Sequence, residues 1–228
     1  MENEKNREPA WLFQRNELDL LEQDFRAAWA DAAGAERPLT EVEEEVLTEV
    51  DAIDDAAHAE LTVLFDAAGV DDDRCPVHGA DCQSSEEDAS IAEMLDATIT
   101  RDPLSSRAFQ LARSIADWCR TVVVPRPLYR EHFRLRVNAP LFAAKIAFAA
   151  QEESVGDDLS TQVAMKELDV GMAYLRRVTE SLEVLMKAEV MAQGSGSEWL
   201  REAEGIMAQA EGKRGRWELL MRFRGKTV

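Results

Sequence analysis

The sequence predicts an all-α protein, a helical bundle of four to six helices with one irregular Cys/His-containing loop and a basic C-terminal tail. Apolar residues recur at intervals of three, four or seven in almost every segment, the spacing that places them on one face of a helix. No segment reads as part of a β-sheet. The 228 residues, 46% hydrophobic and 31% charged, suffice for a packed core without help from disulfides or metals.

The elements follow in order. Trp11, Leu18, Leu21, Phe25, Ala28, Trp29 and Ala32 form the stripe of a first amphipathic helix. After the Gly/Pro-containing turn 34–39, Thr40 and Glu43 make a capping box that opens a second helix, with Val46, Val50, Ile53, Ala57, Leu61, Leu64 and Ala68 as its stripe and Gly69 as its stop. These two should pair as an antiparallel acidic hairpin over 10–69. Periodicity fails over 70–86, the one long irregular stretch. Helix resumes over 87–97 and again from Leu104 to Thr121. The β-branched run Val122 to Val124 ends at Pro125 and reads as an extended link. A helix over 128–152 contains Pro140, which should kink or split it near Asn138. Beyond Gly156 and Asp157, Leu168, Leu175 and Leu182 repeat every seven residues, with Gly171, Val178 and Leu185 three residues after each. That is the seam of a bundle helix about thirty residues long, and Gly171 allows a neighbour to come close. Gly194, Ser195, Gly196 and Ser197 read as a flexible linker to a short helix over 198–210. The organisation is thus a bundle over 1–193, with Arg-rich helices over 87–193, followed by linker, short helix and basic tail over 194–228.

Charge narrows the partners. The net charge is −19, and thirteen carboxylates with no basic residue lie over 38–73, which argues against nucleic-acid binding by that segment. Two regions are basic: 101–136, with eight arginines against three carboxylates, and 213–228, where six cations face only Glu218. No uncharged run approaches the roughly 18 residues of a membrane span. The N-terminal residues lack the basic start and apolar middle of a signal peptide, and the three cysteines are too few for a disulfide framework. A cytoplasmic address is expected.

The sharpest chemical motif is Cys75, His78 and Cys82, a C-x2-H-x3-C arrangement with Gly79 at the turn. Thiolate and imidazole are the donors zinc prefers, and one short loop can supply several corners of a tetrahedron. A fourth ligand would be Cys119, His58, His132, an Asp of the loop, or a group from a second subunit. Without metal, the two loop cysteines are free thiols or a disulfide. No H-E-x-x-H and no deaminase signature accompanies the loop, so a structural zinc is expected. Asp55 with His58 is the nearest approach to the Glu-x-x-His of a ferritin-like di-metal site and occurs once, which excludes that chemistry. P-loop, nucleophile-elbow and dinucleotide-binding motifs are absent.

A second motif is Arg126, Arg130 and His132 at the start of a helix. An Arg separated by four to six residues from a His near the start of a helix resembles the R-x4-6-H motif of HEPN-domain ribonucleases, which are all-helical. The resemblance implies metal-independent RNA cleavage, with His132 as acid or base and Arg126 holding phosphate. The alternative is that these arginines pair with the acidic hairpin and His132 lies on a helix surface. Cys119, beside Trp118, reads as a buried thiol.

In the tail, Lys213, Arg214, Arg216, Arg222 and Arg224 surround Trp217, Leu220 and Phe223. Basic residues interleaved with aromatics suit an acidic protein surface, nucleic acid or an anionic membrane. Docking on protein, within the chain or on another, is the expectation, and the tail is expected to be removable without unfolding the bundle. Together these features predict a non-enzymatic adaptor or scaffold that docks another protein or its own oligomer through the tail. The alternative is a HEPN-like bundle that cleaves or binds RNA through the Arg-rich half. Elemental analysis should find one zinc per chain, and Cys75→Ser should remove it while loosening 69–87 to proteolysis more than the bundle. A metal-free wild type, or a Cys75–Cys82 disulfide, would contradict this.

Overall fold

The computed structural model describes residues 38–68, 99 and 101–224. Within them the chain forms five α-helices and no strand: α1 (Leu39–Ala68), α2 (Pro103–Thr121), α3 (Tyr129–Val155), α4 (Asp158–Lys187) and α5 (Gln193–Arg224), with a 3-10 turn (Arg126–Leu128) before α3. The all-α bundle is as the sequence predicts. The first predicted helix, its hairpin with α1, the helix over 87–97 and the Cys/His loop lie outside the described residues.

Local chemistry sets the boundaries. Asp102 caps α2, its Oδ2 accepting from the Ser105 amide at 2.8 Å and hydroxyl at 2.7 Å, and Pro103 occupies the first helical position. Val122 leaves α2 in extended conformation, as its β-branched run and Pro125 require. Gly156, at φ 80, closes α3, a left-handed conformation that favours glycine. Asp157 then opens α4 by accepting from the Ser160 amide at 2.6 Å.

The core is one contiguous cluster drawn from all five helices. Its centre is the α3–α4 pair, the most extensive contact in the molecule. Leu168, Leu175, Leu182, Val178 and Leu185 of the α4 seam are all fully buried, each large side chain contributing about 1.5–3 kcal/mol. Gly171 sits where α4 meets α3: a Cβ there would lie 3.2 Å from Ile146 Cγ1, 3.3 Å from Lys145 Cβ and 3.4 Å from the Ile146 amide nitrogen.

Three expectations need correction. Of the kink or split expected at Pro140, the split does not occur, since α3 continues through it. A proline removes one backbone donor, and burial on both sides, with Ala139, Leu141 and Phe142 in the core, outweighs that loss. Residues 194–197 are no linker but the first turn of α5, where Gly196 lies so close to Met186 that a Cβ would have to displace the Met186 side chain. The last helix does not end at 210 either. Its inward positions Gly196, Ala203, Ile206, Ala210, Lys213 and Trp217 follow one seam to the tail, which packs on α4 and α2. Trp217 is therefore part of the core, and the tail is not separable from the bundle.

Gly171→Val should lower stability by about 1–3 kcal/mol, because the added methyls meet backbone and a buried Ile. In a chain of this size that is a fall of about 2–4 °C per kcal/mol in Tm. An unchanged Tm would show that α3 and α4 can part at this point without cost.

Candidate functional site

Four groups of chemically active side chains bear on function. Among the candidate zinc ligands, Cys75, His78 and Cys82 lie outside the described residues. Of the residues considered for the fourth position, His58 is exposed on α1, whereas Cys119 and His132 are buried between α2 and α3. His132 turns its Nε2 to the backbone oxygen of Cys119, at 3.2 Å, and not to the thiol. Burial pushes the Cys119 thiol up to about 12. Among the described residues no group of three His, Cys, Asp or Glu could hold a metal ion.

The arrangement around His132 bears on the RNA-cleavage motif. The ring is 1% exposed, lies 5.9 Å from the Trp118 ring, and is not on a helix surface. Burial, with a contribution from Arg136, pulls its pKa down to about 4 against the opposing hydrogen bond to the Cys119 carbonyl. Arg126 stands half-exposed on the 3-10 turn. Arg130 is engaged three ways, by Glu45 at 3.0 Å, by Glu131 at 2.8 Å and by Glu49. Its pairing with α1 is the one anticipated between the arginines and the acidic segment. A general acid needs to reach the substrate proton, and this imidazole is sealed between two helices.

A third group was not visible as a site in the sequence. α1 turns Glu43, Val46, Val50, Asp54, Ala57 and Leu61 inward, so two carboxylates flank its valines. Each meets a buried phenol: Tyr129 of α3 donates to Glu43, and Tyr174 of α4 donates to Asp54 at 2.7 Å. Burial raises both phenols further from ionisation, and the adjacent carboxylates add to the effect. Burial also raises the Asp54 carboxyl, the Tyr174 hydrogen bond and Lys145 pulling the other way. Lys145 itself is 4% exposed and lies 3.1 Å from Glu167, equally buried. The one legible trace is Lys145, a single charge set between the uncharged runs 137–144 and 146–150. Around this layer Glu49 also faces Arg134 at 3.6 Å and Arg177 at 3.5 Å. These contacts pair α1 with α3 and α4, although Arg134 Nε and Arg177 Nη1 are buried without a hydrogen bond among the described residues, and their arrangement is that of a docked helix.

The fourth group is the tail, and the structure divides its cations into two sets. Lys213 is buried between Asp102, at 3.1 Å, and Glu153, at 2.7 Å, with its ammonium 5.4 Å from the Trp217 ring centre. Burial alone would raise the Asp102 carboxyl, but the Ser105 hydrogen bonds and Lys213 outweigh it and hold it below the ordinary range. Arg214 pairs with Asp169 at 2.7 Å and with Glu218. Arg224 reaches Asp158 at 2.8 Å, and the Trp217 indole donates to Glu153 at 2.8 Å. The tail thus folds onto its own chain, although on α2, α3 and α4 and not on acidic α1. Arg216 and Arg222 point outward and have no ion pair among the described residues. Beside them Leu219, Leu220 and Phe223 are 54%, 51% and 63% exposed. Of the aromatic and apolar residues expected to dock together, only Trp217 is inside. Leu219 belongs to the exposed face as much as Leu220 does.

Comparison with protein-family models, with curated proteins and with solved structures finds no match for this chain.

The burial of His132 has a pH signature. Its folded pKa is depressed below the ordinary value of 6.5, so the unfolded chain takes up a proton that the native chain refuses. This contribution to stability is full above about pH 6.5 and is lost as pH falls toward 4. The His132 imidazole resonance should stay that of the neutral ring from pH 8 to about pH 5. Titration near pH 6.5 would show the ring open to water.

Proposed function

We propose that the chain is a non-enzymatic helical docking protein, an adaptor or scaffold that binds another protein through the outward face of α5. One observation carries this reading. Residues 216, 219, 220 and 223 share one helix face, and that face presents three large exposed apolar side chains and Arg216 to solvent. Contiguous exposed apolar surface on a helix is characteristic of an interaction site. The inward cations are already matched by the chain's own carboxylates, so the outward ones give the face its sign. The reading is supported further by His132 and Arg130, whose side chains are committed inside the fold.

A zinc-stapled loop at Cys75, His78 and Cys82 belongs to the same proposal, on the strength of three ligand-type side chains within eight residues. Among the described residues no helix is long and apolar enough to cross a membrane, in keeping with docking on a protein.

The double variant Leu219→Asp/Leu220→Asp should leave Tm within about 1–2 °C of wild type, since exposed positions move stability by no more than about 0.5 kcal/mol. The same variant should lose protein associations that survive in high salt. Trp217→Ala, in contrast, should cost about 3–5 kcal/mol of stability. Metal-independent RNA cleavage that disappears in His132→Ala would overturn the proposal.

A further inference from the structure

The helices flanking the α3–α4 pair each keep a second face that the core does not use. On α1 the inward stripe runs from Glu43 to Leu61. On its far side Ala52, Ala56, Ala59 and Val63 follow one another at four, three and four residues, and all four are exposed, Val63 at 66%. That spacing makes a continuous stripe along about three turns. Asp51, Asp55 and Asp66 border it, exposed and without an ion pair among the described residues. On α5 the outward stripe of Arg216, Leu219, Leu220 and Phe223 has the opposite character in size and sign, with Arg222 at its border.

The two stripes are complementary. One is small-residued and acidic, so a partner helix can come close. The other carries bulky apolar side chains among arginines. Knobs that need holes and cations that need carboxylates are matched in a single pairing. Within one chain the pairing is not made: α1 and α5 both lie against α4 through their inward stripes, and both outer stripes are exposed.

We infer that the outer face of α5 docks on the outer face of α1 in a second copy of this chain. The inference rests on the docking role of α5 proposed above and names the partner. The rival occupant of the α1 face is the chain's own segment 11–33, which the sequence pattern pairs with it. That segment carries five carboxylates against Arg15 and Arg26, the same sign as α1, whereas α5 brings the opposite sign. Charge decides for α5.

The contact joins two different surfaces, so two copies can make it twice about a two-fold axis or many copies can make it head to tail in series. This gives a discriminating experiment on the purified full chain. Arg216→Glu/Arg222→Glu reverses the α5 face, and Asp51→Lys/Asp55→Lys reverses the α1 face. Sedimentation or light scattering should find wild type above the mass of one chain. Each double variant alone should have the mass of one chain, because each then opposes like charges. An equimolar mixture of the two should regain association above the mass of one chain, since both contacts between unlike variants join opposite charges and neither contact between like variants does. Melting curves of the variants should match wild type.

A mixture that stays monomeric while wild type associates would overturn the inference. If in that case only the α5 variant lost association, docking by α5 would stand, with another surface of the copy as its target. A wild type that is monomeric at every concentration would overturn self-docking. Loss of stability in the α1 variant without loss of association would do the same, assigning the α1 face to residues 11–33. If instead the monomeric wild type bound phosphatidylserine vesicles and the α5 variant did not, both this inference and the protein-docking reading would fall.

Discussion

At Gly171 the missing side chain lets α4 lie directly against Lys145 and Ile146 of α3, and most of the remaining arrangement depends on that approach. Four residues before it on the same face stands Glu167, whose carboxylate meets Lys145 at 3.1 Å. Close helix packing and the buried ion pair are therefore one feature. The packing shuts water out, burial raises the Glu167 carboxyl against the pull of Lys145, and each charge is tolerable only because the other is there. A buried pair of this kind is weak evidence for net stability, but losing one partner costs about 3–5 kcal/mol. What it contributes is register: a slip of one turn between α3 and α4 would leave both charges unmatched in the core.

The outer helices attach to this pair by a common device. α1 arrives with acidic residues on its inner face and finds tyrosines and arginines. α5 arrives with Lys213 and Trp217 and finds the caps and last turns of its neighbours. Asp102 shows the economy of it, since one carboxylate both caps α2 and receives Lys213. Across the α3–α4 pair the Ser181 hydroxyl donates to Glu131 at 2.8 Å, so Glu131, which also holds Arg130, ties the α1 anchorage to α4. The opposite charges that the sequence carries in separate blocks are brought together largely within one molecule.

Fold class was legible because burial imposes period. The α4 seam was read residue by residue, and its length, the Gly156–Asp157 break and the extended stretch after α2 followed from rules of local chemistry. The departures from the expected fold share a cause. Gly194, Gly196 and the tail cations were weighed by propensity, which favours linker and solvated tail, whereas tertiary packing decides both. The inward positions 203, 206, 210, 213 and 217 continue without a break, but one of them is a lysine, so the stripe looks interrupted in a one-letter reading. His132 was misplaced for a related reason: nothing in a single sequence distinguishes a polar ring on the surface from one held inside by a carbonyl. The Tyr–carboxylate contacts were illegible altogether, because they join positions 86 and 120 residues apart.

Glu43 and Asp54, which hold α1 by those contacts, are eleven residues apart. Eleven residues make three turns at about 3.67 per turn, against the 3.5 that the heptads of α4 impose. α1 thus keeps both carboxylates on one side with no need to coil around its neighbours, and the two tyrosines act as pins about 16 Å apart along its axis. Such an attachment is quantised. Inserting one residue between the pins would swing the second carboxylate by about 100°, away from its phenol. Adding a whole eleven-residue unit would preserve the face but carry Asp54 past Tyr174. Insertions and deletions should therefore be tolerated only outside the pins, and the interval from Glu43 to Asp54 behaves as a measured strut.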